Sequence, residues 1–258
     1  MARMSYALFP GCSLEGMAAE YLLSGKAVCS ALDIELHEID NWVCCGASPA
    51  HIRSELLGLA LPAINLAEAE RQGRDVVTFC SGCHSRMKTA THELRENPEL
   101  LDKVRKVTEE DSFSAKPEVV SILELLAEEV GRTAIEARVK NPLKGLKVAC
   151  YYGCQPARLP RPLRRDSAEH PVMMDRLLEA TGAEVVDWPH KTECCGASLT
   201  RAGRPTVFRL IRELLQAARE AGADCVAAAC PLCQANLDMY QSDAQSSYGD
   251  IPETPVFY

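Results

Sequence analysis

The sequence predicts an α/β protein made of two similar halves, each with a small, mostly parallel sheet flanked by helices. Short apolar segments alternate with longer segments of helical periodicity, and one pattern of five cysteines occurs twice. In addition, 47% of the 258 residues are hydrophobic, which is enough for the core of one large domain or two modest ones.

The first half alternates between strand and helix signals. Its predicted elements are strand 5–9, helix 16–33, strand 34–39, helix 54–73 and strand 75–80. Pro62 is expected to kink or break the second of these helices, and Gly73 to end it.

The second half repeats this order. Its predicted elements are strand 147–153, helix 171–182, strand 183–189, helix 206–222 and strand 224–230. The charged segment 94–142 has helical periodicity and is expected to be a helical connection. Because "NPLKG" at 141–145 is typical of a boundary, we expect domains at 1–142 and 143–258.

Composition argues against several classes of function. A net charge of −8 and 5% aromatic residues disfavour a broad nucleic-acid-binding surface. No apolar run approaches the length of a membrane span, and the N-terminus lacks the pattern of a signal peptide. The sequence therefore favours a cytoplasmic protein.

Thirteen cysteines are unusual for such a chain, and ten of them form two sets of five. The first set is Cys12, Cys44, Cys45, Cys80 and Cys83; the second is Cys154, Cys194, Cys195, Cys230 and Cys233. In both halves 34 residues separate the adjacent pair from the following CxxC, and "CCGAS" occurs in each. The gap from the lone cysteine to the pair is 31 residues in the first half and 39 in the second. This repetition indicates an internal duplication.

The cysteines are expected to gather at the carboxyl ends of the strands, where parallel α/β sheets bind ligands. Clustered cysteines in a cytosolic chain more often bind metal or carry out redox chemistry than form structural disulfides. Adjacent side chains point in different directions, so a vicinal pair is poorly placed to occupy two corners of one tetrahedral zinc site. The pattern favours a polynuclear iron–sulfur cluster, with zinc and redox-active disulfides as alternatives.

The two five-cysteine sets, together with "LFPGCSL", "CSGCH" and "CPLCQANLDMYQ", resemble the tandem cysteine-rich CCG domains of the heterodisulfide reductase B-subunit family. The resemblance covers almost the whole chain. It implies two domains related by a pseudo-twofold axis, each holding a noncubane [4Fe–4S] cluster on its five cysteines.

The resemblance also implies a function and partners. The chain would be the catalytic component of a complex that reduces a disulfide, such as that of coenzyme M and coenzyme B or a related thiol or protein disulfide. Electrons would come from a ferredoxin-like [4Fe–4S] subunit, which receives them from a flavin-containing subunit. The alternative is an electron-transfer module that serves a quinone-linked or other enzyme without binding a disulfide.

Other residues carry two interpretations each. Arginines 158, 161, 164 and 165 could form an anion-binding rim or a solvated loop that pairs with acidic groups. His84 and His190 could move protons near the cysteines, or could simply support them. Three cysteines outside the repeat are expected to be buried core thiols: Cys29, Cys150 and Cys225.

Overall fold

The computed structural model describes residues 4–47, 49–249, 251 and 253–258. These residues form two compact units. The first runs to Leu125 and includes Leu159–Leu163, and the second comprises Leu126–Arg158 and Arg164–Tyr258. Each contains a four-stranded, entirely parallel sheet with flanking helices, which confirms the predicted α/β class. The domain boundaries 1–142 and 143–258 were inferred from the duplication in the sequence, and they stay a prediction.

The sheet of the first unit has the strand order β2-β1-β3-β4. Its elements are β1 (Met4–Phe9), α1 (Gly11–Leu14), α2 (Ala19–Ala31), β2 (Ile34–Glu38), α3 (Pro49–Arg53), α4 (Glu55–Arg71), β3 (Val76–Thr78), α5 (Ser81–Glu96), α6 (Pro98–Thr108), β4 (Val119–Ser121) and α7 (Ile122–Glu124). The central strands β1 and β3 are apolar and almost fully buried, as expected of strands covered on both faces.

The sheet of the second unit has the equivalent order β6-β5-β7-β8. After a π-helical turn at Leu125–Val130, its helices and strands are α8 (Arg132–Glu136), β5 (Lys147–Tyr151), α9 (Cys154–Ala157), α10 (Met173–Ala180), β6 (Glu184–Val186), α11 (Arg204–Glu220), β7 (Cys225–Ala228), α12 (Pro231–Met239), α13 (Gln241–Tyr248) and β8 (Val256–Phe257). Short 3₁₀ turns lie at Arg161–Leu163 and Ala197–Leu199. Strands β5 and β7 are the buried central pair here.

Each unit contains a strand that the sequence pattern does not predict. Strand β4 lies inside the segment expected to be a helical connection, where Val119 pairs with Val76 of β3. Strand β8 pairs in the same way with β7. Both are too short to give a periodic signal, and they are stabilised by pairing with a strand distant in sequence.

The expected break at Pro62 is wrong, because α4 runs through this residue. The alternative of a kink stays a prediction. Ser54 caps its first turn by accepting a hydrogen bond from the Leu57 N–H. Pro62 and most of its apolar neighbours are buried, and this burial outweighs the hydrogen bond that proline cannot donate.

Candidate functional site

The lone cysteines follow the central strands of the two sheets. Cys12 lies in α1, directly beyond β1, and Cys154 begins α9 beyond β5. Cys80 and Cys230 follow β3 and β7 in the same way. Since β1 pairs with β3 and β5 with β7 in parallel, these cysteines lie at the carboxyl end of their sheets, as predicted.

Each CxxC motif forms the start of a helix. Cys80 is the N-cap of α5 and its carbonyl accepts from the His84 N–H at 2.9 Å. Cys230 is the N-cap of α12 and its carbonyl accepts from the Gln234 N–H at the same distance. The unpaired N–H groups of a first helical turn favour negative charge, so both motifs sit where thiolates are stabilised.

Each CCG turn directs backbone N–H groups at its own sulfur atoms. The Gly196 N–H donates to Cys194 Sγ at 3.3 Å, and an equivalent bond from Gly46 works to lower the pKa of Cys44. For Cys44, however, burial is the larger effect, so its pKa is raised. Glycine suits both turns because Gly46 and Gly196 have φ values of 74° and 81°.

The structure brings the second cysteine of each vicinal pair against the CxxC motif of the same unit. The Sγ atoms of Cys45 and Cys83 are 3.3 Å apart, and those of Cys195 and Cys233 are 3.5 Å apart. Contact with Cys83 lowers the pKa of Cys45 to about 7, whereas contact with Cys45 raises that of Cys83. In the second unit the pKa values of Cys195 and Cys233 are shifted in the same two directions.

The first cysteine of each vicinal pair contacts the lone cysteine. Contact with Cys154 lowers the pKa of Cys194 to about 6, and the pKa of Cys154 is raised in return. A contact between Cys12 and Cys44 helps to raise the pKa of Cys44. All ten predicted cysteines are therefore brought together with other members of their own set, and none of the ten forms a disulfide.

Burial divides the two sets in nearly the same way. The second cysteine of the vicinal pair and both CxxC cysteines are buried in each unit. Cys12 and Cys44 are exposed, and Cys154 and Cys194 are half-buried. Each set therefore has an inner side enclosed by the fold and an outer side open to a ligand or partner.

Glycine is required where the chain passes the inner sulfurs. Gly11 and Gly153 have φ values of 66° and 70°. A Cβ atom at Gly11 would lie 3.1 Å from Cys83 Sγ, and one at Gly153 would lie 3.1 Å from Cys233 Sγ. The absence of a side chain here leaves room around the sulfur atoms.

Within the described residues, no group of three or more His, Cys, Asp and Glu side chains is arranged to hold a metal ion. Sulfur atoms bound to one tetrahedral metal at about 2.3 Å would lie roughly 3.8 Å apart, a few tenths of an ångström beyond the spacings of the Cys45–Cys83 and Cys195–Cys233 pairs. The donors are all sulfur atoms that are not in disulfides, and they contact one another in separate pairs. This donor set fits a thiolate-bound iron–sulfur cluster. Within each vicinal pair, the first cysteine contacts the lone cysteine and the second contacts the CxxC motif.

The side chains that fix the CCG turns were not predicted from the sequence. Asn65 of α4 hydrogen-bonds the backbone of Val43, and Asn236 of α12 donates to the Cys195 carbonyl at 2.7 Å. The Tyr151 hydroxyl donates to the Glu193 carbonyl at 2.6 Å. The available signal was a polar residue within an apolar helix face, which is weak without the structure.

Both histidines of interest have carboxylate partners. His84 is buried, and its Nε2 atom lies 2.9 Å from Glu124, while His190 Nδ1 lies 2.8 Å from Glu193. These contacts favour the supporting role over the proton-transfer role.

Among the arginines, Arg165 pairs with Glu128 at 2.7 Å, as the solvated-loop interpretation expects.

The three cysteines outside the repeat are buried, as predicted. Burial raises the pKa of Cys29 to about 11 and also raises the pKa values of Cys150 and Cys225. They act as small apolar residues of the core.

Among the described residues, no helix combines the length and apolar character that crossing a bilayer requires.

Curated relatives match nearly the whole chain. The 8-methylmenaquinol:fumarate reductase membrane anchor subunit of Wolinella succinogenes is 34% identical over 98% of this chain and 88% of its own length. The B subunit of the ferredoxin/F420H2-dependent CoB–CoM heterodisulfide reductase of Methanosarcina acetivorans is 32% identical over 100% of this chain and 87% of its own. Both relatives are named as subunits of reductases.

A solved structure shares the fold. The crystal structure of a hypothetical protein from Helicobacter pylori has a TM-score of 0.77 to this chain, with 16% sequence identity. It covers 99% of this chain, whereas this chain spans 47% of that protein. At this identity the likeness concerns the fold alone.

The CCG cysteine-rich domain model matches residues 6–88 and again residues 148–238. These ranges contain all ten cysteines that the structure gathers into two sets. The chain therefore belongs to the family of CCG cysteine-rich domain proteins and contains two copies of the domain.

Proposed function

We propose that this chain is the iron–sulfur subunit of a reductase complex and that each five-cysteine set holds one noncubane [4Fe–4S] cluster. The ligands of the first cluster are Cys12, Cys44, Cys45, Cys80 and Cys83; those of the second are Cys154, Cys194, Cys195, Cys230 and Cys233. At these clusters the chain reduces a disulfide. The coarser part of this proposal, an iron–sulfur redox subunit, is supported by both curated relatives.

One observation carries the proposal: two different stretches of sequence build the same sulfur arrangement. Three enclosed sulfurs and two outer ones recur in both units, with amides of the CCG turns directed at sulfur. A structural zinc site needs neither an open side nor a fifth cysteine, so the arrangement favours a reactive centre.

The chain's own residues hold, enclose and expose the site. When bound, the clusters supply single electrons and iron atoms to which sulfur binds. The outer cysteines, Cys12 and Cys44 in one unit and Cys154 and Cys194 in the other, mark where a sulfur substrate gains access. In the overall reaction, R–S–S–R′ takes up two electrons and two protons and gives RSH and R′SH, so its S–S bond breaks.

Metal analysis of anaerobically purified protein tests the cofactor. We expect about eight iron atoms and eight acid-labile sulfides per chain, from two four-iron clusters. Changing Cys45→Ser or Cys195→Ser should remove about half of the iron, whereas changing the core residue Cys225→Ser should leave it unchanged. Stoichiometric zinc without iron overturns the proposal.

Substrate binding is tested by EPR spectroscopy of the oxidised protein with an added thiol. A new signal that depends on the thiol supports ligation of the substrate sulfur at the cluster. Reduction of a disulfide with a reduced viologen as electron donor then completes the test. Iron-replete protein that neither changes its spectrum nor reduces any disulfide overturns the disulfide-reducing role.

A second candidate is an electron-transfer module linked to a quinol, which the name of the Wolinella succinogenes relative favours. The clusters would then pass electrons between a quinol-linked enzyme and a partner without binding a disulfide. Reduction of the clusters by a menaquinol analogue, with no effect of thiols in any redox state, would support this candidate instead.

We further infer that the chain works within a multi-subunit complex, as the subunit names of both relatives suggest. The proposed electron donor is a ferredoxin-like [4Fe–4S] subunit supplied by a flavin-containing subunit. The cytoplasmic location stays a prediction, and the anchor-subunit relative leaves room for association with a membrane complex. Co-purification of the tagged chain identifies the partners directly.

A further inference from the structure

The two central strands end on aromatic rings at equivalent positions. Phe9 is the last residue of β1 and Tyr151 the last of β5, and each precedes the lone cysteine of its set by three residues. Each pairs with the residue two positions before the CxxC motif, which is Thr78 in the first unit and Ala228 in the second. Both rings are fully buried, and both lie beside the glycine that faces the CxxC sulfurs. The positions differ in chemistry, because only tyrosine carries a hydroxyl.

That hydroxyl holds the chain where it enters the second CCG turn. It donates to the carbonyl of Glu193, the residue directly before the vicinal pair, at 2.6 Å. The Glu193 N–H donates to the His190 carbonyl at 3.4 Å. The equivalent residue of the first unit is Val43, and there the Asn65 amide serves both the N–H and the carbonyl. The same carbonyl is therefore held in both units, by Tyr151 in the second and by Asn65 in the first.

The helix position that carries Asn65 in the first unit is apolar in the second. Leu61 of α4 and Leu210 of α11 are equivalent, because a Cβ atom on the glycine of the CCG turn would lie 2.9 Å from Cδ1 of the first and 3.0 Å from Cδ1 of the second. Asn65 and Leu214 each lie four residues beyond that leucine, and each eight residues before the glycine of positive φ that follows the helix. Leu214 is buried and has no group that could donate a hydrogen bond.

The two units have thus exchanged the position of one polar group. The first combines an apolar ring at the strand end with an amide on the helix, and the second combines a phenol at the strand end with leucine on the helix. A carbonyl that loses its donor weakens the local structure, so either arrangement is better than two apolar residues. Because two different sequences meet the same need, the held carbonyl is a requirement of the site and not of one helix or strand.

We propose that Tyr151 is the positioning residue of the second site, where it holds the carbonyl before the vicinal cysteines and so fixes Cys194 for cluster binding. This inference rests on the proposed function and deepens it, because Cys194 is one of the proposed ligands. Cys194 is half-buried, so packing restrains it less than it restrains the enclosed Cys195. Tyr151 acts through the backbone of Glu193 and takes no part in electron transfer.

Iron retention tests the positioning. In a Cys45→Ser background the first site is disabled, so the remaining iron reports the second. Tyr151→Phe should release this iron to a chelator about tenfold more readily and change the EPR spectrum of the iron that stays. Tyr248→Phe is the matched control, because its hydroxyl also donates to a backbone carbonyl, that of Pro205, at 2.8 Å. It should change neither iron retention nor the spectrum.

Returning the donor to the helix gives the decisive comparison. Tyr151→Phe with Leu214→Asn places an amide at the position of Asn65 and should restore iron retention and the spectrum. Tyr151→Phe with Leu214→Ala provides no donor and should not. In a Cys195→Ser background, Asn65→Leu with Phe9→Tyr should likewise retain more iron than Asn65→Leu alone. This exchange in the first unit is an independent test if Tyr151→Phe does not fold.

The inference is overturned if Tyr151→Phe retains iron as well as Tyr248→Phe does. It is also overturned if Leu214→Asn restores no more iron than Leu214→Ala, since the loss would then not come from a missing donor. Wild-type protein without iron would instead contradict the proposed function itself, so the two failures are distinguishable.

Discussion

The side-chain amide of Asn65 makes two hydrogen bonds to the backbone of Val43. Its Nδ2 donates to the Val43 carbonyl and its Oδ1 accepts from the Val43 N–H, each at 2.9 Å. The same Nδ2 also donates to the Leu61 carbonyl of α4 at 3.1 Å. Val43 directly precedes Cys44, so helix α4 fixes the chain where it enters the first CCG turn. In the second unit Asn236 of α12 serves this purpose from a different helix.

Asn65→Leu should loosen the first CCG turn. It removes three hydrogen bonds and leaves the Val43 N–H and carbonyl without these partners, at a cost of about 1–3 kcal/mol. Urea unfolding should report this loss, and iron content should fall in parallel. Asn65→Asp keeps the acceptor but places a buried carboxylate oxygen against the Val43 and Leu61 carbonyls, so a loss at least as large is expected.

Asn141→Leu provides the matched control, because Asn141 is exposed. A change within about 0.5 kcal/mol is expected there. If Asn65→Leu were as mild as this control, the amide would not be fixing the turn.

Gly25 is required by the ring of Phe79. A Cβ atom at position 25 would lie 1.9 Å from Phe79 Cε1 and 2.7 Å from Cζ. In most helix interiors, changing glycine to alanine stabilises by about 1 kcal/mol. Here the buried ring, which also packs edge-on against Tyr21, has little room to yield, so Gly25→Ala should destabilise by about 1–3 kcal/mol.

Phe79 directly precedes Cys80, so the same change should lower the iron content of the first site. Ser24→Ala on the exposed face of α2 is the control and should have little effect. Thermal unfolding of Gly25→Ala, Phe79→Leu and the double variant gives the coupling. Additive effects of the two changes would contradict a direct clash.

Sequence patterns predicted the class of fold because the information they use is local. The apolar segments around β1 and β7 and the periodic helices α4 and α11 each carry their own signal. Strand β4 does not, since its three residues become a strand only by pairing with β3. The apolar periodicity of the residues that follow favoured a helix and concealed it.

The membership of the two cysteine sets was predictable from spacing, but their internal contacts were not. Nothing in the spacing indicates that Cys45 contacts Cys83 or that Cys12 is exposed, because both depend on how separate loops fold back on the sheet.

Lys191 and Asp175 form a buried ion pair in the second unit, with 2.5 Å between Nζ and Oδ1. Asp175 also accepts from the Tyr152 hydroxyl, and the Lys191 carbonyl accepts from the Tyr152 and Gly153 N–H groups. Lys191→Met would leave the Asp175 charge buried without this partner. A loss of about 3–5 kcal/mol in unfolding free energy is expected.

The double variant Lys191→Met/Asp175→Leu removes both charges and should recover part of that loss. Arg209→Met is the control, because Arg209 and Glu213 form an exposed pair that should contribute little. The interpretation fails if the double variant is the sum of its single changes, since the cost would then not come from an unpaired charge.

Glu124 should make the first unit sensitive to acid. Burial works to raise its pKa, but His84 and the charge of Lys88 outweigh burial and lower it from 4.5 to about 2. The Lys88 Nζ–Glu124 Oε1 distance is 2.8 Å, and Glu124 also accepts from the Ser121 N–H at 2.9 Å. Because the folded state lowers this pKa, the carboxylate contributes stability at pH values above about 4.5 and loses it as the pH falls towards 2.

A pKa lowered by this amount corresponds to about 3 kcal/mol of stability at neutral pH. Glu124→Gln removes the charge, so its difference from the wild type in unfolding free energy should be largest above about pH 5 and should shrink towards pH 2. Urea unfolding at several pH values measures this difference. Glu118→Gln, at an exposed carboxylate paired with Arg95, should show little change with pH. A Glu124→Gln difference that stays constant from neutral pH down to pH 2 would mean that the buried carboxylate does not titrate as its contacts require.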